Sequence, residues 1–218
     1  MSTAMDFAKY FIQQGLDTNS NTYDGNMKLQ KLLFFADIIS LAEYGNTLFQ
    51  DDVCAFSNGC VIEPVRLRYK NDYISLHAES QAFVPSFTDD ENKVLALTVA
   101  IFGGVSAREL SELNHGFDFW RTALERSKQP DGYKDKVLSV ITPNEMVPEL
   151  NKIRSVVDSF EKNKQYTTNK EIVNGIIFLY SDDMEMSDDI LEKLDDFSRT
   201  AEDDIYSVYL DGKDLVIY

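Results

Sequence analysis

Two cysteines, two histidines and one tryptophan are all that this 218-residue chain holds of the residue types that build disulfide frameworks, metal centres and many catalytic sites. Cys54 and Cys60 are too few and too oddly spaced for a disulfide framework or a zinc site, and they read as small buried hydrophobes. His77 and His115 have no Ser, Cys or carboxylate near them at the spacing of a nucleophile motif, so a non-enzymatic role is expected. Gly103-Gly104 lacks Walker or dinucleotide surroundings and reads as a turn. The acidic pairs Asp182-Asp183, Asp188-Asp189 and Asp203-Asp204 lack the twelve-residue calcium loop with its central Gly and terminal Glu. No metal and no cofactor are therefore expected. No basic segment leads into an apolar run, and no stretch approaches the roughly 20 apolar residues of a membrane span, which makes cytoplasmic residence the expectation.

Basic residues are also scarce: 21 Lys and Arg stand against 37 Asp and Glu, for a net charge of −16. Such a chain repels phosphate backbones, which argues against direct nucleic-acid binding and toward a basic or positively patched protein partner. Residues 181–218 alone carry a net −10, leaving −6 for the rest. Acidic surface also serves solubility, so Asp195, Asp196, Asp203 and Asp204 have two readings, a partner-facing patch or a solvated one. Arg66, Arg68 and Lys70 form the densest basic group. They read either as a solvated face paired with local acids or as a docking surface or internal counterion for the acidic end.

What the chain does have is apolar periodicity and punctuation, with 44% hydrophobic residues and enough length for one sizeable core. A helix is expected from about Thr3 to Gln14, ended by Gly15. A second, from about Asn26 to Tyr44, carries Leu29, Leu32, Leu33, Ala36 and Ile39, is apolar nearly all round and should be central. Lys28, Gln30, Lys31 and Asp37 form its thin polar face, and a buried Gln30 amide would need partners. Asn58-Gly59 between Val53–Phe56 and Cys60–Ile62 signals a small hairpin, and Pro64 suits the first turn of a helix reaching about Tyr73. Thr88-Asp-Asp-Glu91, Ser106-Ala-Arg-Glu109 and Thr142-Pro-Asn-Glu145 are capping boxes, the last opening a helix to about Lys162. Phe117, Trp120 and Leu124 share one face of a helix between Asp118 and Lys128, which the Gln129-Pro-Asp-Gly132 turn breaks. Beyond about residue 165, a strand at Ile172–Tyr180, a helix at Asp188–Arg199 and a hairpin around Asp211-Gly212 give a β–α–β–β segment.

The run Met27-Lys-Leu-Gln-Lys-Leu-Leu-Phe-Phe-Ala-Asp37 is followed by Leu48-Phe49, Asp52, Ala55-Phe56, Gly59-Cys-Val61 and Val65, and then by Ser106-Ala-Arg-Glu-Leu-Ser-Glu-Leu-Asn-His115 and Trp120. In this order, over about residues 25–165, the motifs resemble the Panacea domain, the SocA-like antitoxin family of bacteria and prophages. The resemblance implies a helical domain at 1–165, with Leu29, Gln30, Leu32, Leu33, Gly59, His115 and Trp120 as motif positions. His115 then looks structural, ending one helix and orienting the next, and Trp120 a core anchor; Asn114 stands where the family often has Thr. Residues 166–218 are an acidic extension outside the resemblance. The expected fold is α+β: a mainly helical core with a small hairpin, plus the β–α–β–β segment. The expected function is that of an antitoxin neutralising, by direct contact, a toxin encoded nearby. The alternatives are an adaptor delivering that toxin to the ClpXP protease, or an acidic phage protein mimicking DNA to block a host defence protein. Candidate partner-facing residues are Asp195, Asp196, Asp203, Asp204, Arg66 and Arg68.

Overall fold

The chain opens on α1 (Ala4–Gln13), which Thr3 caps by accepting the Asp6 N–H at 3.3 Å while the Asp6 carboxylate takes the Thr3 N–H at 2.9 Å. Next comes α2 (Tyr23–Tyr44), which starts earlier than its apolar pattern indicates because the Thr22 hydroxyl accepts the Gly25 N–H and caps it. It ends at Gly45, as its sequence predicts. The computed structural model describes residues 2–130, 133–164, 168–181, 184–201, 203, 205–212 and 214–217. It separates into two units, Met1–Val157 and Asp158–Tyr218. The fold is α+β and mainly helical.

In the first unit the other elements pack around α2, whose residues are buried on every side. A hairpin, β1 (Val53–Phe56) and β2 (Gly59–Ile62), turns through Ser57 and Asn58; β3 (Val140–Ile141) pairs on the far side of β1, giving the sheet order β2–β1–β3. The helix expected after Pro64 is α3 (Glu63–Asn71), and a further helix that the sequence does not announce, α4 (Tyr73–Gln81), follows after Asp72, whose φ of −152° is not helical. The three capping boxes open α5 (Asp89–Phe102), α6 (Ala107–His115) and a short α8 (Pro143–Met146), with carboxylate contacts to the cap N–H of 2.7, 3.1 and 2.8 Å. Between them lies α7 (Asp118–Ser127). The helix expected from Thr142 breaks into α8, a 3-10 turn at Val147–Glu149, and α9 (Leu150–Lys164). Pro148 lacks the N–H that an unbroken α-helix would need there. The Asp131-Gly132 part of the expected turn lies outside the described residues.

Aromatic rings knit the core together. Phe35 stacks on Phe102 of α5 at 4.2 Å, Phe34 meets Phe117 at 5.8 Å, and Phe7 of α1 stacks on Phe87 at 4.9 Å. Each such pair adds about 0.5–1.5 kcal/mol to its area burial. Glu149 completes the packing by accepting the Asp118 and Phe119 N–H groups at 2.7 and 3.1 Å, which caps α7 from a distant element.

The second unit is a four-stranded sheet, β4 (Thr168–Val173), β5 (Ile176–Ser181), β6 (Ile205–Asp211) and β7 (Asp214–Ile217), in that order. The strand expected at Ile172–Tyr180 is in fact a hairpin. Asn174 and Gly175 take φ of 51° and 88°, the left-handed pair that a two-residue hairpin turn requires. Helix α10 (Asp188–Ser198) links β5 to its parallel neighbour β6 and covers a core of Phe178, Ile190, Leu194 and Val208. The last hairpin pairs Asp211 with Asp214, so its turn falls one residue later than the Asp-Gly signal places it. Among the described residues, no single helix is long and apolar enough to cross a membrane.

Two predictions come from α2. Leu33 is 0% exposed. Leu33→Asp should abolish cooperative melting, because an unpaired buried charge costs several kcal/mol against a total stability of about 5–15 kcal/mol; a soluble variant that melts like wild type would contradict this packing. Asp37 is also buried, and burial outweighs its bonds from the Leu48 and Phe49 backbone, pushing its carboxyl up to about 7. Its contribution to stability is therefore complete below the unfolded carboxyl range and lost as pH rises to about 7. Asp37→Asn should gain melting temperature relative to wild type between about pH 5.5 and about pH 8, and a gap that does not change with pH would refute the burial of this charge.

Candidate functional site

Asn26, Lys28, Gln30, Lys31 and Asp37, polar residues of α2, are buried. Each one holds the backbone of a neighbouring segment. Lys28 donates to Gly103 O and Thr18 Oγ1, both at 2.8 Å; Asn26 donates to Arg66 O at 3.1 Å; Asp37 accepts from Leu48 N at 2.7 Å. Gln30 uses both ends of its amide, accepting the Ile62 N–H at 2.8 Å and donating to Asn26 Oδ1 at 3.3 Å. Lys31 donates to Cys60 O at 2.9 Å. From α6, Asn114 Oδ1 accepts the Cys60 N–H. The outer edge of β2 is thus satisfied by side chains in place of a further strand.

Gly59 makes this arrangement possible. Its φ is +98°, and a Cβ there would stand 2.7 Å from Lys31 Nζ and against the Asn114 amide. His115 stacks on Trp120 at 4.2 Å and hydrogen-bonds to the Ser57 backbone, and Trp120 Nε1 donates to Phe56 O at 2.9 Å. Both rings therefore brace the hairpin turn, with Trp120 only 8% exposed. Burial, and then the nearby Lys31 charge, hold the His115 imidazole below the usual histidine range. Among the described residues, the buried Asn114 Nδ2 and His115 Nε2 have no hydrogen-bond partner.

Beside the hairpin lies a cleft of about 550 Å³ between the start of α2, the β1–β2 turn and α3. Its apolar surfaces are Met27, Phe56 and Val61; its polar ones include Asn26, Gln30 and Tyr69. Tyr69 donates to the buried Asp17 carboxylate at 2.8 Å, which together with burial raises its phenol well above the usual range. Tyr23, 68% exposed, accepts a hydrogen bond from Asn58 and so joins the α2 rim to the hairpin rim. Three cations line the cleft: exposed Lys70, half-buried Arg66 and fully buried Lys31. Arg66 is engaged by Glu63 at 2.6 Å and lies 5.5 Å over the Phe56 ring. Lys31 is 1% exposed, and among the described residues it has no carboxylate partner. Burial pulls its ammonium down to about 8.

Cysteine, histidine and asparagine, the residue types of a thiol nucleophile, come near one another here. They are not arranged for that chemistry: Cys60 is fully buried and its thiol is pushed up to about 12, so it stays protonated at neutral pH. No group of three His, Cys, Asp or Glu able to hold a metal ion occurs among the described residues.

The partner-facing residues expected from sequence fall in both units, Arg66 and Arg68 in the first and Asp195, Asp196 and Asp203 in the second. Arg68 is paired with Asp72 and with Glu79 at 2.6 Å, and of the arginines on α3 only Arg66 lines the cleft. Asp195 accepts from Asn174 at 2.7 Å and from Arg199 at 2.5 Å, and Asp196 lies 3.7 Å from Arg199. The Asp203 backbone donates to the Tyr206 hydroxyl, and Asp204 lies outside the described residues. Leu29, Leu32 and Leu33 are core, whereas Gln30, Gly59, His115 and Trp120 build the hairpin support. Lys31, Tyr23 and Asn58 do not stand out in sequence as site residues; the one legible signal is a lysine within an otherwise apolar helix.

The fold and cleft define a mainly helical α+β domain with a cation-lined recess beside a side-chain-braced hairpin. Residues 29–121 match the family model described as antitoxin SocA-like, Panacea domain. The matched stretch spans most of α2, the hairpin and the helices through the start of α7. Neither a curated protein nor a solved structure matches the chain.

Lys31→Met tests the buried charge. Because the folded-state pKa is depressed, the cost of burying the ammonium is complete below about 8 and is relieved as pH rises toward the unfolded value of 10.5. The melting temperature of the Met variant relative to wild type should therefore fall between about pH 7.5 and about pH 10. A pH-independent difference would show that Lys31 is solvated.

Proposed function

We propose that this protein is an antitoxin that neutralises a toxin encoded beside it by direct protein–protein binding, with the cleft as part of the contact surface. The observation that carries this reading is the coincidence of the SocA-like antitoxin match with the elements that build the cleft. An apolar floor, a few placed polar groups and exposed tyrosine at the rim suit the anchoring of a partner side chain. The protonated Cys60 thiol and the stacking of His115 on Trp120 support a binding role over an enzymatic one. The acidic second unit, including Asp195, Asp196, Asp203 and Asp204, supports charge steering toward a basic partner, an effect on encounter rate more than on affinity.

Co-expression tests the proposal. The product of the adjacent reading frame should arrest growth alone, be harmless with this chain present, and co-elute with it at an unchanged cellular level whether or not ClpX is present. A toxin whose level falls only in cells containing ClpX would replace neutralisation by proteolytic delivery, and a harmless neighbour would remove the antitoxin reading.

A further inference from the structure

The mouth of the cleft carries a charge that the rest of the protein does not. Two solvent-facing cations come from α3: half-buried Arg66, held by Glu63, and Lys70, exposed and without an ion-pair or hydrogen-bond partner among the described residues. Arg68 on the same helix lies outside the cleft lining and is answered by two acids, Asp72 and Glu79. Two more cations arrive from the loop before β3. Lys134 donates to the hydroxyl of Ser57, a cleft residue, at 2.7 Å, and Lys136 shares Glu63 with Arg66 at 2.8 Å. These contacts join residues 77 and 73 positions apart into one surface. Asp135, between the two lysines, turns its carboxylate back to the Val137 N–H at 2.9 Å. Four cations thus meet two acids, Glu63 and Asp135, and the cleft lining itself holds no Asp or Glu. The mouth is a positive patch in a protein of net charge −16, and exposed pairs of this kind stabilise a fold little, so folding does not account for it.

We propose that the cleft mouth is the docking surface for an acidic segment of the partner protein, whose carboxylates lie on Lys70 and on the Lys134–Lys136 loop while an apolar or aromatic side chain between them enters the cleft. This rests on the reading that the cleft faces a protein partner. Lys70, Lys134 and Lys136 are exposed, and Met27 and Phe56 of the lining are only half-buried, so the incoming groups reach all of them from solvent. Charge complementarity of this local kind fixes register and rejects partners that lack the acids. A nucleic acid fits less well on two counts. Its phosphate track would meet the net −16 of the whole chain beyond the patch. Arg66, the guanidinium at the mouth, already gives Nε and Nη2 to the two Glu63 oxygens at 2.6 and 3.0 Å, so that fork is taken.

The full-length protein, labelled with ¹⁵N, is titrated at low ionic strength with three probes: Ac-Asp-Glu-Phe-Glu-Asp-NH₂, its neutral counterpart Ac-Asn-Gln-Phe-Gln-Asn-NH₂, and single-stranded oligothymidylate. The acidic peptide should shift the amides of Tyr23, Asn58 and Lys70 and bind about tenfold more tightly than the neutral one, the scale of a few exposed charge contacts. Lys70→Glu and Lys134→Glu should each weaken it about threefold. Lys93→Glu makes the same charge change at an exposed position of α5 outside the cleft and should leave binding nearly unchanged. No binding of the acidic peptide, equal binding of the two peptides, equal losses in Lys93→Glu and Lys70→Glu, or tighter binding of oligothymidylate would overturn the proposal. The peptide comparison needs no variant, so it stands even where a substitution impairs folding. Because the probes are independent of any toxin, failure here leaves neutralisation standing, and a harmless neighbouring gene product leaves this result standing.

Discussion

Everything in the first unit depends on how the buried polar groups of α2 are satisfied. A helix enclosed on all sides would normally be apolar throughout, yet this one buries Asn26, Lys28, Gln30, Lys31 and Asp37. Each meets a backbone group of a neighbouring segment: the end of α5, a carbonyl of α3, the loop before β1, and the outer edge of β2. Burying a polar group and its partner together is close to neutral in free energy, while burying either alone costs about 1–3 kcal/mol. The helix therefore fixes where irregular backbone can run. Apolar packing supplies the stability; the polar contacts specify which arrangement is stable.

The cleft is a consequence of that specification. Gln30, Lys31 and Asn114 hold β2 in place of a further strand, Trp120 and His115 brace the turn from α6 and α7, and Gly59 leaves room for the side chains to converge. The hairpin is thereby held against the start of α2, and the recess between them is bounded by elements with little freedom to relax. A preformed recess loses less ordering free energy on binding than a loop that must fold around its partner.

The helices and their starts were legible because their signals are local. Capping boxes at Thr88, Ser106 and Thr142 satisfy N–H groups three residues away, and the apolar run of α2 declares its burial without reference to any partner. Helix α4 was not legible, since only Leu76 and Ser80 of its nine residues are buried and the rest show no apolar face. Strand β3 exists only through its pairing with β1, about 86 residues earlier, which no window can register. The Asn174-Gly175 turn carried a strong hairpin signal that the β-branched run around it obscured. At the site, sequence marked Gln30, Gly59, His115 and Trp120 through family likeness, and marked Lys31 only as part of a polar face. Its contact is with a backbone carbonyl 29 residues away, which spacing does not encode.

Amide hydrogen exchange at Cys60 and Ile62 measures the central claim directly. Both N–H groups belong to an edge strand, and both are bound by buried side chains, Asn114 on α6 and Gln30 on α2. If those side chains hold the hairpin, these amides exchange only when the first unit unfolds globally, with the same opening free energy as the middle of α2. Exchange at the faster rate of an unpaired edge strand, while the amides around Leu33 stay protected, would contradict the account.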